Sequence, residues 1–529
     1  MLELILIVGA ITVLFYYYGV KPMSYWEERG VKQTPKVWLV GDNWRTLLKL
    51  ESFTEMIERI YNTISGVRYL GSYQFTTPTL VIKDPDLIKQ IGVKDFEHFM
   101  DHRSFVPEEA DPLFGKNLFA LKGQKWRTMR PILSPSFTSS KMRSIFKLIS
   151  ECVENFNDYY LKKNQDIVEV EMKDSFTRFA NDVIATTAFG VKIDSLKEQN
   201  NEFYTMGKEV TDFSSFLKWM KLFGFMLFPK LFSLLNIGFI SARNNKFFTS
   251  LVDSNIKMRK EKGIVRMDMI HLLMEAQKES QQKEEENIID TGFATVEEAN
   301  LGYADKPIKQ ELTNLDIAAQ AMIFFFAGFD TVSTAICFMA HELAVNADIQ
   351  NKLRKEIEEM LKECNGTISY EALLKMKYLD MVVSESLRKW PAAVAVDRVC
   401  TKPYTIKPAS PDEKPLFIEE GTVLWFPIYA LQRDPTIYPN PERFDPERFN
   451  DENKANINPY TYLPFGVGPR NCIGNRFALL EIKLIFFHIL SKFEIVPIKE
   501  TKIPIQISRK QINLLPDGGF PLGLKKLVK

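Results

Sequence analysis

The stretch FGVGPRNCIG, Phe465–Gly474, sets a single cysteine between glycines, two residues after an arginine and directly before the apolar run NRFALLEIKLIFFHILSKF, Asn475–Phe493. The run reads as a helix, so Cys472 stands at a helix N-terminal end. There the unpaired N–H groups and the dipole favour an anion, and a thiolate is an anion. Gly466, Gly468 and Gly474 let the backbone turn tightly and come close to a flat ligand, while Arg470 offers its fork of donors to a carboxylate. The nearest other candidate ligands, Cys400 and His488, lie outside metal-clip spacing, which excludes a zinc knuckle in practice. One thiolate, an arginine for a propionate and room for a plane describe a haem site. An inert buried cysteine would need neither the glycines nor the arginine.

The bulk numbers fit a large globular chain. At 529 residues, 45% apolar and 26% charged, it can bury a sizeable core, as one large domain or two to three ordinary ones. Lys plus Arg is 68 against 67 for Asp plus Glu, so no global basic field points to nucleic acid. The 5 cysteines are scattered and form no CxxC pair, which fits a reducing compartment. From Leu2 to Val20 the chain is apolar apart from Glu3, close to the ~20 residues that span a bilayer. Tyr16, Tyr17 and Tyr18 form an interfacial belt at its exit. A secretory signal would carry positive charge before the apolar run; here Glu3 precedes it, and Lys21, Pro22, Arg29, Lys32 and Lys36 follow. The expectation is a retained transmembrane anchor over 1–20, a proline and basic linker over 21–40 and a body over 41–529 on the cytoplasmic side. A buried core helix at 2–20 is the plainer alternative, and the Pro and Lys run after it speaks against it.

No repeat of fixed period is visible. The body reads as mainly α with small β-sheets. Leu70–Pro85 alternates like strands closing on a turn, with a helix opening near Pro85, while residues 141–163 and Gln350–Cys364 have helical period. The polar run Gln277–Lys306 reads as a solvated connection. Leu312–Val345 holds an uninterrupted apolar core, Ile317–Phe329, bounded by Asp316 and Asp330 and too short to cross a membrane. It is expected as a helix buried on nearly all faces. Gly328 in such a helix costs about 1 kcal/mol relative to Ala, and Asp330 with Thr331 puts a carboxylate and a hydroxyl where water is scarce. Two readings stand. Thr331 back-bonds to a carbonyl one turn earlier and Asp330 finds an arginine, or Gly328 opens the helix wall to a bound small molecule.

With these pieces in order, the chain resembles the haem-thiolate monooxygenases of the cytochrome P-450 superfamily over essentially its whole length. That family's ligand loop has Phe, two residues, Gly, one, Arg, one, Cys, one, Gly, and Phe465, Gly468, Arg470, Cys472 and Gly474 fill every position. The central helix matches at Ala327, Gly328, Asp330 and Thr331. Glu385 and Arg388 in SESLRKW match the Glu, two residues, Arg motif, and PERF, Pro446–Phe449, supplies Arg448 to complete a structural Glu, Arg, Arg cluster. WRTMR gives Trp126 and Arg130, and Arg398 in DRVC falls where another propionate-binding arginine is expected. Two departures are Val332, where many members have a second Thr or Ser, and Gln432, where a His often stands.

The resemblance implies the cytochrome P-450 fold, with haem b between the central helix and the cysteine loop. It implies Cys472 as iron ligand, Trp126, Arg130, Arg398 and Arg470 as haem contacts beside Ala327, and Asp330 and Thr331 as the acid and alcohol pair of oxygen activation. No GxGxxG opens a strand-to-helix turn, so NADPH would act through a separate membrane-bound NADPH cytochrome reductase, with cytochrome b5 as a further donor. Its implied dock is the basic strip Lys122, Lys125 and Arg127. By family position Phe105, Phe114, Phe119, Phe213, Phe216, Phe326, Ala327, Ala393, Val394 and Ile512 line the substrate cavity. Such a pocket suits lipophilic small molecules. The aromatic segment Asp212–Ile240 would dip into the bilayer surface or pack on the core. The texture is similar to insect microsomal members that clear plant toxins and insecticides, which implies a monomeric enzyme of the endoplasmic reticulum membrane; hormone or lipid oxidation is the alternative. A peroxide-rearranging isomerase would have little use for Asp330 and Thr331, and a haem sensor without turnover little use for them or for an anchor.

Overall fold

The apolar run after Leu312 forms one unbroken helix, Asn314–Val345, of 32 residues. A capping box opens it: the Thr313 hydroxyl accepts from the Asp316 N–H at 3.1 Å, and the Asp316 carboxylate accepts from the Thr313 N–H at 2.9 Å. Length and composition would let this helix cross a membrane, but most of its apolar stretch is buried in protein, which makes it the core helix. The computed structural model describes residues 1–103, 106–211, 216–235, 237–266, 268–278, 291–296, 312–511 and 513–527. Most of the polar run 277–306 therefore lies outside the described residues.

Around the central helix pack Met172–Thr187, Ala242–Lys262, Lys377–Lys389 and Asn475–Leu490, the first of them most extensively. Gly328 belongs to this packing. A Cβ there would come 2.5 Å from Ile184 Cδ1, so the missing side chain lets two helices approach and does not open the wall to a ligand, contrary to the second sequence reading. The sheets are small. Tyr69–Gln74 and Thr77–Ile82 pair antiparallel, and a helix starting at Pro85 follows with the Asp84 carboxylate accepting from the Leu87 N–H at 2.7 Å. Thr77–Ile82 runs parallel to Val423–Phe426, whose other edge carries Val396–Val399 antiparallel. A second sheet joins Ile167–Glu171, Pro521–Lys526 and Phe493–Pro497. Mainly helical with small sheets, the chain has the architecture its patterning implied.

The helical stretch Leu2–Glu28 is long and apolar enough to cross a membrane, and its first part, Leu2–Phe15, buries nothing against the body. Residues 21–40 are tied to the first sheet. Trp26 is fully buried and donates from Nε1 to Ser72 O at 3.1 Å, and the Tyr73 hydroxyl donates to Met23 O at 2.9 Å.

Glu385 and Arg388, one turn apart on Lys377–Lys389, form a fully buried two-pronged pair, Nε to Oε2 at 2.7 Å and Nη2 to Oε1 at 2.9 Å. Arg448 Nε lies 3.5 Å from Glu385 Oε1, and Arg388 donates onward to Gln432 O and Pro441 O. Gln432 has a structural use. Its amide donates to Leu387 O and Arg388 O, and its oxygen accepts from the Leu463 N–H, so it ties the end of the Glu385 helix to the segment entering the cysteine loop. Glu385→Ala leaves the buried Arg388 guanidinium, and the half-buried Arg448 beside it, without their carboxylate, and the expected cost is roughly 3–5 kcal/mol. Chemical denaturation should show the lower midpoint; an unchanged midpoint would mean the cluster does not hold this part of the fold.

Candidate functional site: a thiol loop and a buried arginine cluster

Cys472 is held by its own loop. Its N–H donates to Phe465 O at 2.8 Å, the Asn471 N–H to Gly468 O at 2.9 Å, and the Asn475 side chain to Cys472 O at 2.9 Å. Gly468 has φ +69°, and a Cβ on it would lie 1.8 Å from Gly92 O, so only glycine lets the loop pass that backbone. Gly474 is different. A Cβ there would meet only Phe137 at 3.6 Å, an ordinary contact, so no tight turn demands this glycine and its missing side chain leaves clearance beside the thiol. Burial pushes the Cys472 thiol up, while the Gly474 N–H and the Arg130 charge pull it down toward the thiolate. Cys472 nevertheless carries accessible surface. Surface on a group enclosed deeply enough for burial to dominate its titration is the wall of an interior space.

The central helix borders such a space too. Between residues 317 and 344 only Ala327 and Thr331, one turn apart, are exposed. Phe137 links the two sides: it is the neighbour of Gly474 and packs edge-on against Phe324 of the central helix at 5.3 Å. The Thr331 hydroxyl donates to Ala327 O at 2.5 Å, the back-bond of the plainer sequence reading. That bond uses its proton and leaves the oxygen free to accept. Val332 is buried, so this departure from the family pattern points into packing and away from the exposed face. Asp330 finds a lysine where an arginine was expected: Lys173 Nζ lies 2.8 Å from Oδ1, and Asn513 Nδ2 donates to Oδ2 at 2.9 Å.

Three buried guanidiniums gather near the thiol. Arg130 donates to Asn471 O at 3.0 Å and Asn471 Oδ1 at 2.6 Å; Arg398 donates to Asp397 O at 2.7 Å and Val467 O at 3.0 Å. Arg470 reaches the carbonyls of Met100 and Leu121 at 2.7 Å and Asp101 at 3.3 Å, and it lies 4.2 Å over the Trp126 ring. Trp126 and Arg130 sit one turn apart on Gly123–Leu133. Burial pulls Arg398 down to about 10 and Arg470 to about 9, the latter also disfavoured by the neighbouring charges of Arg398 and Arg130. Two carboxylates face them, Asp101 on Arg470 and Asp397, whose Oδ1 lies 3.0 Å from His102 Nδ1. Arg398 Nε is buried with no partner among the described residues. A site with surplus buried positive charge and an orphaned donor is completed by anions. A thiolate and a flat ligand carrying two carboxylates meet that requirement, and haem b is such a ligand.

Of the expected pocket residues, Phe114 packs at a tilt against Phe239 with ring centroids 4.7 Å apart, Phe119 is stacked on His102 at 4.7 Å, and Val394 is buried. Phe326 is half-buried, and Ala393 is exposed. Phe105, Phe213 and Ile512 lie outside the described residues, and of Phe216 only the backbone is described. The basic strip is largely paired, Lys125 with Glu108 at 2.7 Å and Arg127 with Glu97, so it is not a field of free charge. Lys173, Asp101, His102 and Asn471 were not singled out from sequence; each meets its partner only through the fold.

The comparisons agree with this geometry. The family model described as Cytochrome P-450 matches residues 45–521. The chain is 47% identical over 534 residues to cytochrome P-450 9e2 of Blattella germanica, covering 98% of this chain and 97% of that protein. It is 39% identical over 518 residues to the probable cytochrome P-450 9f2 of Drosophila melanogaster, with 96% of each covered, and 36% identical over 524 residues to cytochrome P-450 6k1 of Blattella germanica, with 99% and 97% covered. A match across nearly the whole chain, on top of a thiol loop and arginine cluster that fit the cofactor, means that this protein belongs to the cytochrome P-450 family and is a haem-thiolate monooxygenase working with haem b and with electrons passed from NADPH by a reductase.

Proposed function

We propose that this enzyme is a membrane-anchored, microsomal monooxygenase that clears lipophilic foreign compounds, plant toxins and insecticides among them. Haem bound at the Cys472 thiolate supplies dioxygen activation and insertion of one oxygen atom into the substrate. The chain's own residues do the rest. Gly474 N–H and Arg130 hold the thiolate, Arg130, Arg398 and Arg470 neutralise the carboxylates of the cofactor, and Trp126 supports Arg470 from below. Phe465, Gly468 and Gly474 shape the loop, and Ala327 leaves the exposed face of the central helix low. The Thr331 oxygen, with its proton already bonded to Ala327, accepts and orients a proton donor at that face. Glu385, Arg388 and Arg448 hold the surrounding fold.

The observation that carries the substrate reading is how the charged groups near the aromatic walls are used. Asp111 accepts from the N–H groups of Phe114 at 3.2 Å and Ile240 at 2.7 Å; Lys116 lies 3.4 Å from Asp316; Lys221 donates to Phe239 O at 2.9 Å. These charges are bound to protein partners, and what remains beside Phe114, Phe225 and Phe239 is apolar and suited to neutral lipophilic molecules. A second feature supports delivery from the membrane. Leu217, Met220, Phe228, Leu231, Leu234 and Leu235 are all exposed on the short helices Phe216–Leu227 and Pro229–Leu234 and just beyond, with lysines between them, a pattern that seats on a bilayer surface. With Leu2–Val20 as the anchor, these features support a catalytic body on the cytoplasmic face of the endoplasmic reticulum, where a reductase, and cytochrome b5 as a second donor, would meet the exposed Lys122 and its neighbours.

The test is a panel of unrelated compounds given to full-length protein with reductase and NADPH: alkoxycoumarins, pyrethroid-like esters, steroids and free fatty acids. Oxidation of several neutral compounds of different skeletons is the expected result. Activity confined to one steroid, isoprenoid or fatty acid class would overturn clearance in favour of hormone or lipid oxidation.

A further inference from the structure

Six residues within the polar run 277–306, expected as a solvated connection, are packed against the body. Residues 291–296, TGFATV, form a turn of their own: the Thr295 N–H donates to Gly292 O at 3.0 Å, and the Thr291 and Thr295 hydroxyls lie 2.6 Å apart. Thr291 and Ala294 are buried. The Phe293 ring closes a triangle with Phe449 and Tyr462, whose ring centroids are 5.1 Å and 5.3 Å away. Beside these rings lies an ion pair that joins two helices. Lys483, fully buried on Asn475–Leu490, sits 2.8 Å from Oδ1 of Asp380 in the first turn of Lys377–Lys389. The turn solvates both halves of that pair in place of water: Thr291 O accepts from Lys483 Nζ at 3.0 Å, and the Phe293 N–H donates to Asp380 Oδ2 at 3.0 Å. Gly292 allows this approach. Its φ is +121°, and a Cβ there would collide with the Asp380 carboxylate. At its other end the turn reaches the cysteine loop. The side-chain amide of Asn475, the first residue of the cysteine helix, donates to Val296 O at 3.3 Å and to Cys472 O at 2.9 Å.

We propose that residues 291–296 are a positioning clip for the thiol loop: by completing the Lys483 and Asp380 pair and holding the Asn475 amide, they fix the N-terminal end of the cysteine helix and keep the Cys472 thiolate in place. Anchoring a long connection would need only the aromatic contact of Phe293. The clip also spends a carbonyl and an N–H on one ion pair, and a second carbonyl on the side chain that holds Cys472 O. With Val296 O and Cys472 O both facing it, the Asn475 amide presents its nitrogen, because a flip would set its oxygen against two carbonyls. When the clip is released, Cys472 O alone selects that orientation, and Lys483 loses an acceptor where water is scarce. The helix end behind the thiol then gains freedom. The groove itself keeps standing, since the Tyr462 hydroxyl donates to Ser384 O at 2.9 Å and the Glu385 cluster makes its own bonds.

The test uses full-length protein loaded with haem and reads three quantities. They are hydrogen exchange at residues 472–480, the rate at which the red-shifted carbon monoxide band of the reduced protein moves to the ordinary position in dilute urea, and the global unfolding midpoint. Gly292→Val does not take the positive φ beside Asp380 and is expected to release the clip, seen as faster exchange at 291–296. Replacing residues 291–296 with glycine and serine releases it outright. In both variants exchange at 472–480 is expected to quicken and the band to move roughly tenfold faster, as follows from leaving a buried donor without its acceptor, with the midpoint close to wild type. Phe293→Ala empties the aromatic groove and is expected to lie in the same direction, while Phe293→Leu, which refills it with an apolar side chain, recovers most of the wild-type rate. Wild-type exchange at 472–480 and an unchanged band rate in the glycine and serine variant would overturn the proposal. A midpoint that falls in step with the band rate would overturn it too, because the segment would then be a staple of the whole fold. None of these readouts depends on which compounds the enzyme oxidises, so their failure would leave the substrate reading standing.

Discussion

Cys472→Ala is expected to abolish turnover and to remove the strongly red-shifted band that the reduced wild-type protein should show with carbon monoxide. The expectation rests on the uniqueness of the position. Burial opposes a bare thiolate at Cys472, but the Gly474 N–H and the Arg130 charge favour it, and a cation bonded at Sγ removes the rest of the burial penalty. No other cysteine shares such surroundings; Cys364 stands at the C-terminal end of the helix Ala347–Glu363 with its thiol toward Met360 Sδ at 3.8 Å. Cys337 is fully buried in the central helix, where its thiol is pushed well up, and Cys400 donates to Lys402 O at 3.0 Å within its own turn. Cys152, pushed up by burial with the charges of Asp182 and Glu481 adding to it, is equally ill-suited. The variant therefore has nothing to put in place of the thiolate. The measurement is the absorption difference spectrum of the reduced protein with and without carbon monoxide, beside NADPH-dependent oxidation of a lipophilic probe. A persisting red-shifted band or normal turnover in the alanine variant would take away the assigned ligand, and with it the roles given to Arg130, Arg398 and Arg470.

What could be read from the sequence and what could not divides along sequence separation. The Cys472 loop is written in ten consecutive residues, and its parts, a positive-φ glycine, an arginine and a helix start, are local. The Glu385 and Arg388 pair is three residues apart on one helix, a spacing any helix can show, and only the family resemblance singled it out. Asp101 meets Arg470 across 369 positions and Lys173 meets Asp330 across 157, and periodicity carries no signal at that range. Gly328 shows the opposite failure. Its place beside Asp330 and Thr331 suggested a gap for a ligand, whereas helical geometry turns it toward Ile184 on a neighbouring helix. A residue's neighbour in sequence is about 100° away around a helix, so adjacency in a motif does not put two side chains on one surface.

The same geometry decides the second large effect. Thr331→Ala is expected to uncouple the enzyme, so that NADPH is still consumed but product per NADPH falls by roughly tenfold or more and peroxide replaces it. Thr331 and Ala327 form the exposed strip of the central helix, while Asp330, Ser333 and Thr334 are turned toward Lys173. Ser333 cannot stand in for the lost hydroxyl. It is buried, donates to Phe329 O at 2.8 Å and faces Lys173 and Thr177, on the side of the helix away from the exposed strip. Alanine removes one oxygen from the interior face and leaves the Lys173 and Asp330 pair in place, so electrons still arrive while the group that orients the last proton transfer is gone. Thr331→Ser, which keeps the oxygen and loses only a methyl group, is expected to stay close to wild type. Parallel measurement of NADPH, peroxide and product in the two variants separates the hydroxyl from the volume of the side chain. Full coupling in Thr331→Ala would show that no side chain on this strip is needed for the transfer and that Asp330 passes its proton to water directly.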